Sequence, residues 1–243
     1  MPDPITPAPL PAPQDETRSV VKAAGVIGAA TFSSRVLGFV RDMVLARLFG
    51  ATPAADAFFV AFRIPSLLRE LFAEGSMSSA FIPVFTEYRT MRSKQEAWEL
   101  ASAVFTTLLT IVTAVTLLGI LVSPWLVQLL APGFQEYPDK LALATVLTRV
   151  MFPYLLFISL AALAMGILNS VRAFAAPAFS PLFLNIFIII GAVFVSPQLP
   201  EPIVGVAIGV VAGGAAQFAM QLPSLKLRGL LFVATPGSAA DLS

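Results

Sequence analysis

The sequence predicts an all-α fold, a polytopic membrane helical bundle of six transmembrane helices. Three observations carry that reading. Of the 243 residues 57% are hydrophobic and only 12% charged, and the mean hydropathy is +0.86, far above the balance of a soluble domain. The apolar residues gather into segments of about 20 or more, the length that crosses the hydrocarbon of a bilayer. Those segments are parted by short runs of Pro, Gly and charge, such as APGFQEYPDK and SPQLPEP, which read as turns.

The elements follow in order. Residues 1–19, rich in Pro and polar groups, hold too little apolar surface to offset the entropy of ordering and read as a disordered cytoplasmic tail. The first span runs from about Val20 to Phe49 and is stopped by Gly50 and the Pro53 turn. The second runs from about Asp56 to Glu87, and Pro65 inside it predicts a bend. The third has its apolar centre at Ala101–Val122, followed by Ser123, Pro124 and Trp125, which predict a kink and an interfacial anchor. The fourth, Leu141–Ser170, contains Arg149 and Pro153; the fifth, Ala178–Val195, carries Asn185 as its single polar group at depth. In the sixth, Ile203–Leu222, Gly205, Gly209 and Gly213 recur every four residues, a spacing that lines one face with glycine for close helix contact. Residues 228–243 lack helical periodicity and read as a linker or tail.

Basic residues set the orientation, because Lys and Arg are retained on the cytoplasmic side. With both termini on one side, that side holds Arg18, Lys22, Arg89, Arg92, Lys94, Arg172, Lys226 and Arg228, against Lys140 alone on the other. Both termini are therefore expected in the cytoplasm.

Composition also removes function classes. There is no His and no Cys, so no imidazole base or metal ligand and no thiol nucleophile. Glu70 and Glu74 lie one turn apart on one helix with no opposing catalytic face, and no Gly-rich phosphate loop or acidic metal cluster occurs. An enzyme is not expected, nor a cofactor or metal. The basic residues are dispersed among apolar helices, which gives no surface for nucleic acid.

The functional signal is charge where charge is costly. Thr31–Gly75 is apolar enough to enter a membrane, yet it holds Arg35, Arg41, Asp42 and Arg47 on the first span and Asp56, Arg63, Arg69, Glu70 and Glu74 on the second. An ionised group at the bilayer centre costs roughly 2.5–3.5 kcal/mol on insertion scales, so such residues face a bundle interior or a wet cavity. Residues seven apart are about 20° from eclipsed on a helix, which puts Arg35 with Asp42 on one face and Asp56 with Arg63 and Glu70 on another. Arg47, Asp56 and Glu74 lie near the ends of their spans, where they can snorkel. Arg35, Arg41 and Arg69 lie deeper. A guanidinium forks onto phosphate oxygens, so an arginine-lined cavity suits a phosphorylated or otherwise anionic ligand.

The runs FSSRVLGFVRD and ARLFGATPAADAFFVAFRIPSLLRELFAEGSMSSAFIPVFTEY, followed by SPWLVQLLAPGF, RVMFPYLLFISL, GILNS, APAFSPLFLNI and QFAMQLPSL, resemble the lipid II flippases of the MurJ (MviN) family, in the multidrug/oligosaccharidyl-lipid/polysaccharide exporter superfamily. The resemblance covers residues 20–227, which would form the N-terminal lobe. It implies a two-lobed fold that moves a lipid-linked peptidoglycan precursor from the inner to the outer leaflet of the bacterial cytoplasmic membrane by alternating access. It further implies that Arg35, Arg41, Arg69 and Ser34 bind the substrate pyrophosphate and that Asp42, Asp56 and Glu74 act as charge partners or gates. The family's second lobe, with its own cavity arginine and sodium site, lies beyond the six spans offered here. The expected partners are accordingly lipid II, membrane lipids, and a C-terminal lobe or another membrane chain. Two other functions remain open at this stage: a non-transporting membrane module that binds and regulates a partner flippase or cell-wall machinery, and an exporter of the same superfamily with a different cargo.

Overall fold

A computed structural model describes residues 13–70 and 81–229. The segment LFAEGSMSSA, with Glu74, and most of the two terminal stretches lie outside the described residues. Among those described there is no strand, and the helices are α1 Pro13–Phe49, α2 Pro53–Arg69, α3 Ile82–Met91, α4 Lys94–Leu130, α5 Pro138–Met151, α6 Pro153–Ser170, α7 Ala175–Ile190, α8 Ile203–Ala219 and α9 Leu222–Lys226. The fold is the all-α membrane bundle that composition calls for. Four described segments are long and apolar enough to cross a membrane: Gln95–Leu130, Pro138–Ser170, Ala175–Gln198 and Ile203–Lys226. The two charged helices are not among them, and α2 is only 17 residues long.

Several boundaries differ from the expectation, each for a local reason. The first helix begins at Pro13, inside the stretch read as tail, with proline at the position that has no use for an N–H. Of the second span the structure describes α2, which accommodates Pro65 internally, and α3; residues 71–80 between them lie outside the described residues. The fourth span breaks at Phe152, because Pro153 supplies no N–H to the carbonyl four residues back and starts α6 instead. At Pro124 the α4 helix runs on to Leu130. The Ser123 hydroxyl donates to the Ile120 carbonyl at 2.9 Å, the acceptor that Pro124 leaves without a backbone donor. The α7 helix ends in a π turn at Gly191–Val195. Beyond α6, Arg172 takes a left-handed conformation with φ 58.

The glycines of α8 set its distance from α7. A methyl at Gly209 would lie 2.5 Å from the Phe187 carbonyl oxygen, and one at Gly213 would lie 2.9 Å from Leu184 Cα. On the facing segment, a methyl at Gly191 would clash with the Gly205 carbonyl oxygen. The seam is backbone against backbone, as small residues permit in lipid. The opposite edge of this pair receives α1, and α2 packs on α5. One apolar cluster, with Phe58, Ile64, Leu147, Met151, Phe152, Ile188 and Val206, ties α2, α5, α7 and α8 together. A second, with Phe85, Leu155, Leu163, Ile167 and Leu225, joins α3, α4, α6 and α9.

Candidate functional site

The site grows from one stripe of α1. Ala30, Ser34, Gly38, Arg41 and Leu45 fall at helical spacing, and α1 lies along α7. Small residues at 34 and 38 let Asn185 of α7 come close: a methyl at Gly38 would be 3.7 Å from Asn185 Nδ2. Asn185 is only 7% exposed, and both ends of its amide are used. Nδ2 donates to the Ser34 carbonyl at 3.3 Å, and Oδ1 accepts from Arg41 Nη1 at 3.0 Å. A buried amide needs such partners.

Arg41 completes the arrangement. Its Nε and Nη2 donate to Asp42 Oδ1 at 2.9 and 2.7 Å. The Arg41 side chain is 25% exposed and that of Asp42 62%. A guanidinium carries five N–H groups. Three are engaged among the described residues, which leaves one on each terminal nitrogen. Arg41 and Asp42 line a cleft of about 410 Å³ closed by Leu45, Phe49, Phe58, Phe59 and Ile203. The cleft thus offers a cationic edge, held from two sides, against an apolar wall. That combination suits an anionic group attached to an apolar body.

The remaining expected residues are distributed as follows. Ser34 enters through its backbone carbonyl. Arg35 is exposed on α1, and Arg69 closes α2, half-buried; neither lines the cleft of Arg41. Asp56 sits in the first turn of α2 and pairs with Lys140 of α5 at 2.7 Å. The Lys140 ammonium also stands 4.3 Å over the Phe134 ring. Glu74 lies outside the described residues. Among the described residues no group of three or more His, Cys, Asp or Glu side chains is placed to hold a metal.

Asn185 is the residue whose part in the cluster was not anticipated. Its signal in the sequence is a lone amide in an otherwise apolar span, a position that demands a polar partner.

Fold and site together define a polytopic helical membrane protein with an arginine-bearing cleft in its charged first helices. The chain belongs to the MurJ family: residues 45–241 match the family model described as "Lipid II flippase MurJ". It is 41% identical over 208 residues to the lipid II flippase MurJ of Burkholderia cenocepacia, covering 86% of this chain and 40% of that protein. It is 44% identical over 222 residues to the probable lipid II flippase MurJ of Vibrio cholerae, covering 88% of this chain and 42% of that one. Among solved structures it is similar to a lipid II flippase MurJ in an inward closed conformation, with a TM-score of 0.71 and 33% identity over 86% of this chain and 43% of that one. The chain therefore spans about two fifths of the length of these relatives.

Proposed function

We propose that this chain is the N-terminal lobe of a lipid II flippase of the bacterial cytoplasmic membrane. Completed by a second lobe, it moves lipid-linked peptidoglycan precursor from the inner to the outer leaflet by alternating access. It does so as a transporter, with both termini in the cytoplasm. The observation that carries the reading is Arg41, held by Asp42 and Asn185 with one N–H left on each terminal nitrogen, beside an apolar cleft. A pyrophosphate joined to a polyprenyl chain has both features that such a cleft selects. Arg35 and Arg69 add positive charge along the same two helices, and Asp42 is the partner that exchanges with substrate. Asp56 and its Lys140 partner close the outer end. The exposed apolar stripe of α1, with Phe32, Val36, Phe39 and Met43, is the face on which a second lobe closes.

Complementation tests this reading in cells depleted of their own flippase, expressing the chain alone or with a C-terminal MurJ lobe. Growth is expected only with both lobes, and it is lost with Arg41→Ala, Arg35→Ala or Arg69→Ala. Growth that survives all three substitutions with the protein present in the membrane overturns the site; growth on the chain alone overturns the need for a second lobe.

A further inference from the structure

We propose that Arg149 and Ser123, at the seam of α4 and α5, form a site for the phosphate of a membrane phospholipid, separate from the cleft of Arg41. Arg149 lies in the span Pro138–Ser170 and is exposed. A guanidinium there needs acceptors, because a bare charge in hydrocarbon is costly. The structure supplies one. Nε donates to Ser123 Oγ at 3.0 Å, while the Ser123 hydroxyl proton is committed to the Ile120 carbonyl that Pro124 leaves open. The serine is therefore a fixed acceptor that anchors one edge of the guanidinium. Among the described residues the terminal nitrogens of Arg149 have no acceptor, and no carboxylate pairs with it.

What surrounds that fork is a lipid-facing wall. Only 22% of the 18-residue apolar stretch of α4 is buried, and α4 packs chiefly on α3, α5 and α6. Val146, three residues before Arg149 on α5, is exposed beside it, while Leu121 and Trp125, each two residues from Ser123, are exposed on the far face of α4. Trp125, 66% exposed and two residues from Ser123, is the side chain that marks the level of lipid headgroups. A phosphodiester at that level accepts from the two terminal nitrogens as a fork, and its acyl chains run along the exposed flank of α5 at Val146. The ligand class is thus any glycerophospholipid, read by its phosphate and its tails together. This site does not depend on what the cleft of Arg41 carries.

The test is lipid binding by the purified chain in detergent, measured by native mass spectrometry with phosphatidylglycerol, phosphatidylethanolamine and diacylglycerol. Both phospholipids are expected to bind, with Arg149→Leu weakening them at least tenfold and leaving diacylglycerol unchanged. Arg149→Lys, which keeps the charge and most of the stem, loses at least threefold because it lacks the fork, and Ser123→Ala loses about threefold by freeing the guanidinium. Wild-type affinity for both phospholipids in Arg149→Leu overturns the proposal. So does full displacement of phospholipid by millimolar inorganic phosphate, which would make this a site for free anions. Equal loss of diacylglycerol and phospholipids would reduce Arg149 to a structural residue and overturn it as well.

Discussion

Lys140 Nζ stands 2.7 Å from Asp56 Oδ2, joining the first turn of α5 to the first turn of α2 across 84 positions of sequence. The carboxylate lies at a helix N-terminus, where the backbone favours negative charge, and the ammonium is steadied by the Phe134 ring. Asp56 is largely exposed, so the pair contributes no more than about 1 kcal/mol to stability. Its weakness suits a contact that opens and closes. Cysteines at 56 and 140, bridged by a short bifunctional thiol reagent in a two-lobed assembly, are expected to stop transport and release it on reduction. Unimpeded transport with the bridge in place would mean that this end stays shut throughout the cycle.

Asn185 holds the Arg41 guanidinium without neutralising it. Asn185→Leu removes the acceptor for Nη1 and the second donor to the Ser34 carbonyl, whose helical bond remains, a loss of about 1–3 kcal/mol at a buried site. Asn185→Asp keeps an acceptor on Arg41 but adds a second negative charge beside it. Lipid II binding by a two-lobed assembly is expected to weaken roughly tenfold in the leucine variant and further in the aspartate variant. If the aspartate variant binds as tightly as wild type, the charge on Arg41 is not what the substrate reads.

The glycine seam gives a stability prediction with an internal control. Gly209→Ala and Gly191→Ala each place a methyl against backbone carbonyl oxygen, and the helices must part. Each is expected to cost about 1–3 kcal/mol, the usual penalty of overpacking. Gly28→Ala meets nothing within 4 Å and is expected to be neutral or slightly stabilising, since alanine is the better helix former. Thermal unfolding in detergent separates the three; a Gly209→Ala protein that melts with wild type would show that the seam is looser than drawn.

Arg172 holds a left-handed backbone just past the end of α6, the position where helices ordinarily place glycine. Arg172→Gly should raise stability by about 1 kcal/mol through relief of that conformation, and Arg172→Val should lower it, β-branching being least tolerated there. Glycosylation tags in the connecting loops check in the same variants that loss of this basic residue leaves the topology unchanged.

Much of this was legible in the sequence because the governing patterns are local. Hydropathy marked the apolar spans and the four-residue glycine period marked a close helix contact, while of the three deep arginines singled out only Arg41 lines the cleft. Three things were hidden for physical reasons. Whether a proline breaks a helix depends on what takes over the orphaned carbonyl, and at Pro124 that is the hydroxyl of the preceding serine, a three-dimensional fact. At Pro153 no such rescue occurs and the helix restarts. The pairing of Arg41 with Asn185 joins residues 144 positions apart, and no periodicity reports on that distance. Helical projection, which placed Asp42 with Arg35, also gave no hint that the flexible Arg41 side chain would fold onto its immediate neighbour.

The span between Arg41 and Asn185 has a consequence for biosynthesis. At 5–20 residues per second, the ribosome needs roughly 7–30 seconds to make the 144 positions between them. Throughout that interval Arg41 has been made and its amide partner does not yet exist. Asp42, made within a fraction of a second of Arg41, is available from the start. The adjacent ion pair is therefore the arginine's first companion during insertion, and the amide of α7 is the late arrival that fixes α1 in place once the chain has caught up with it.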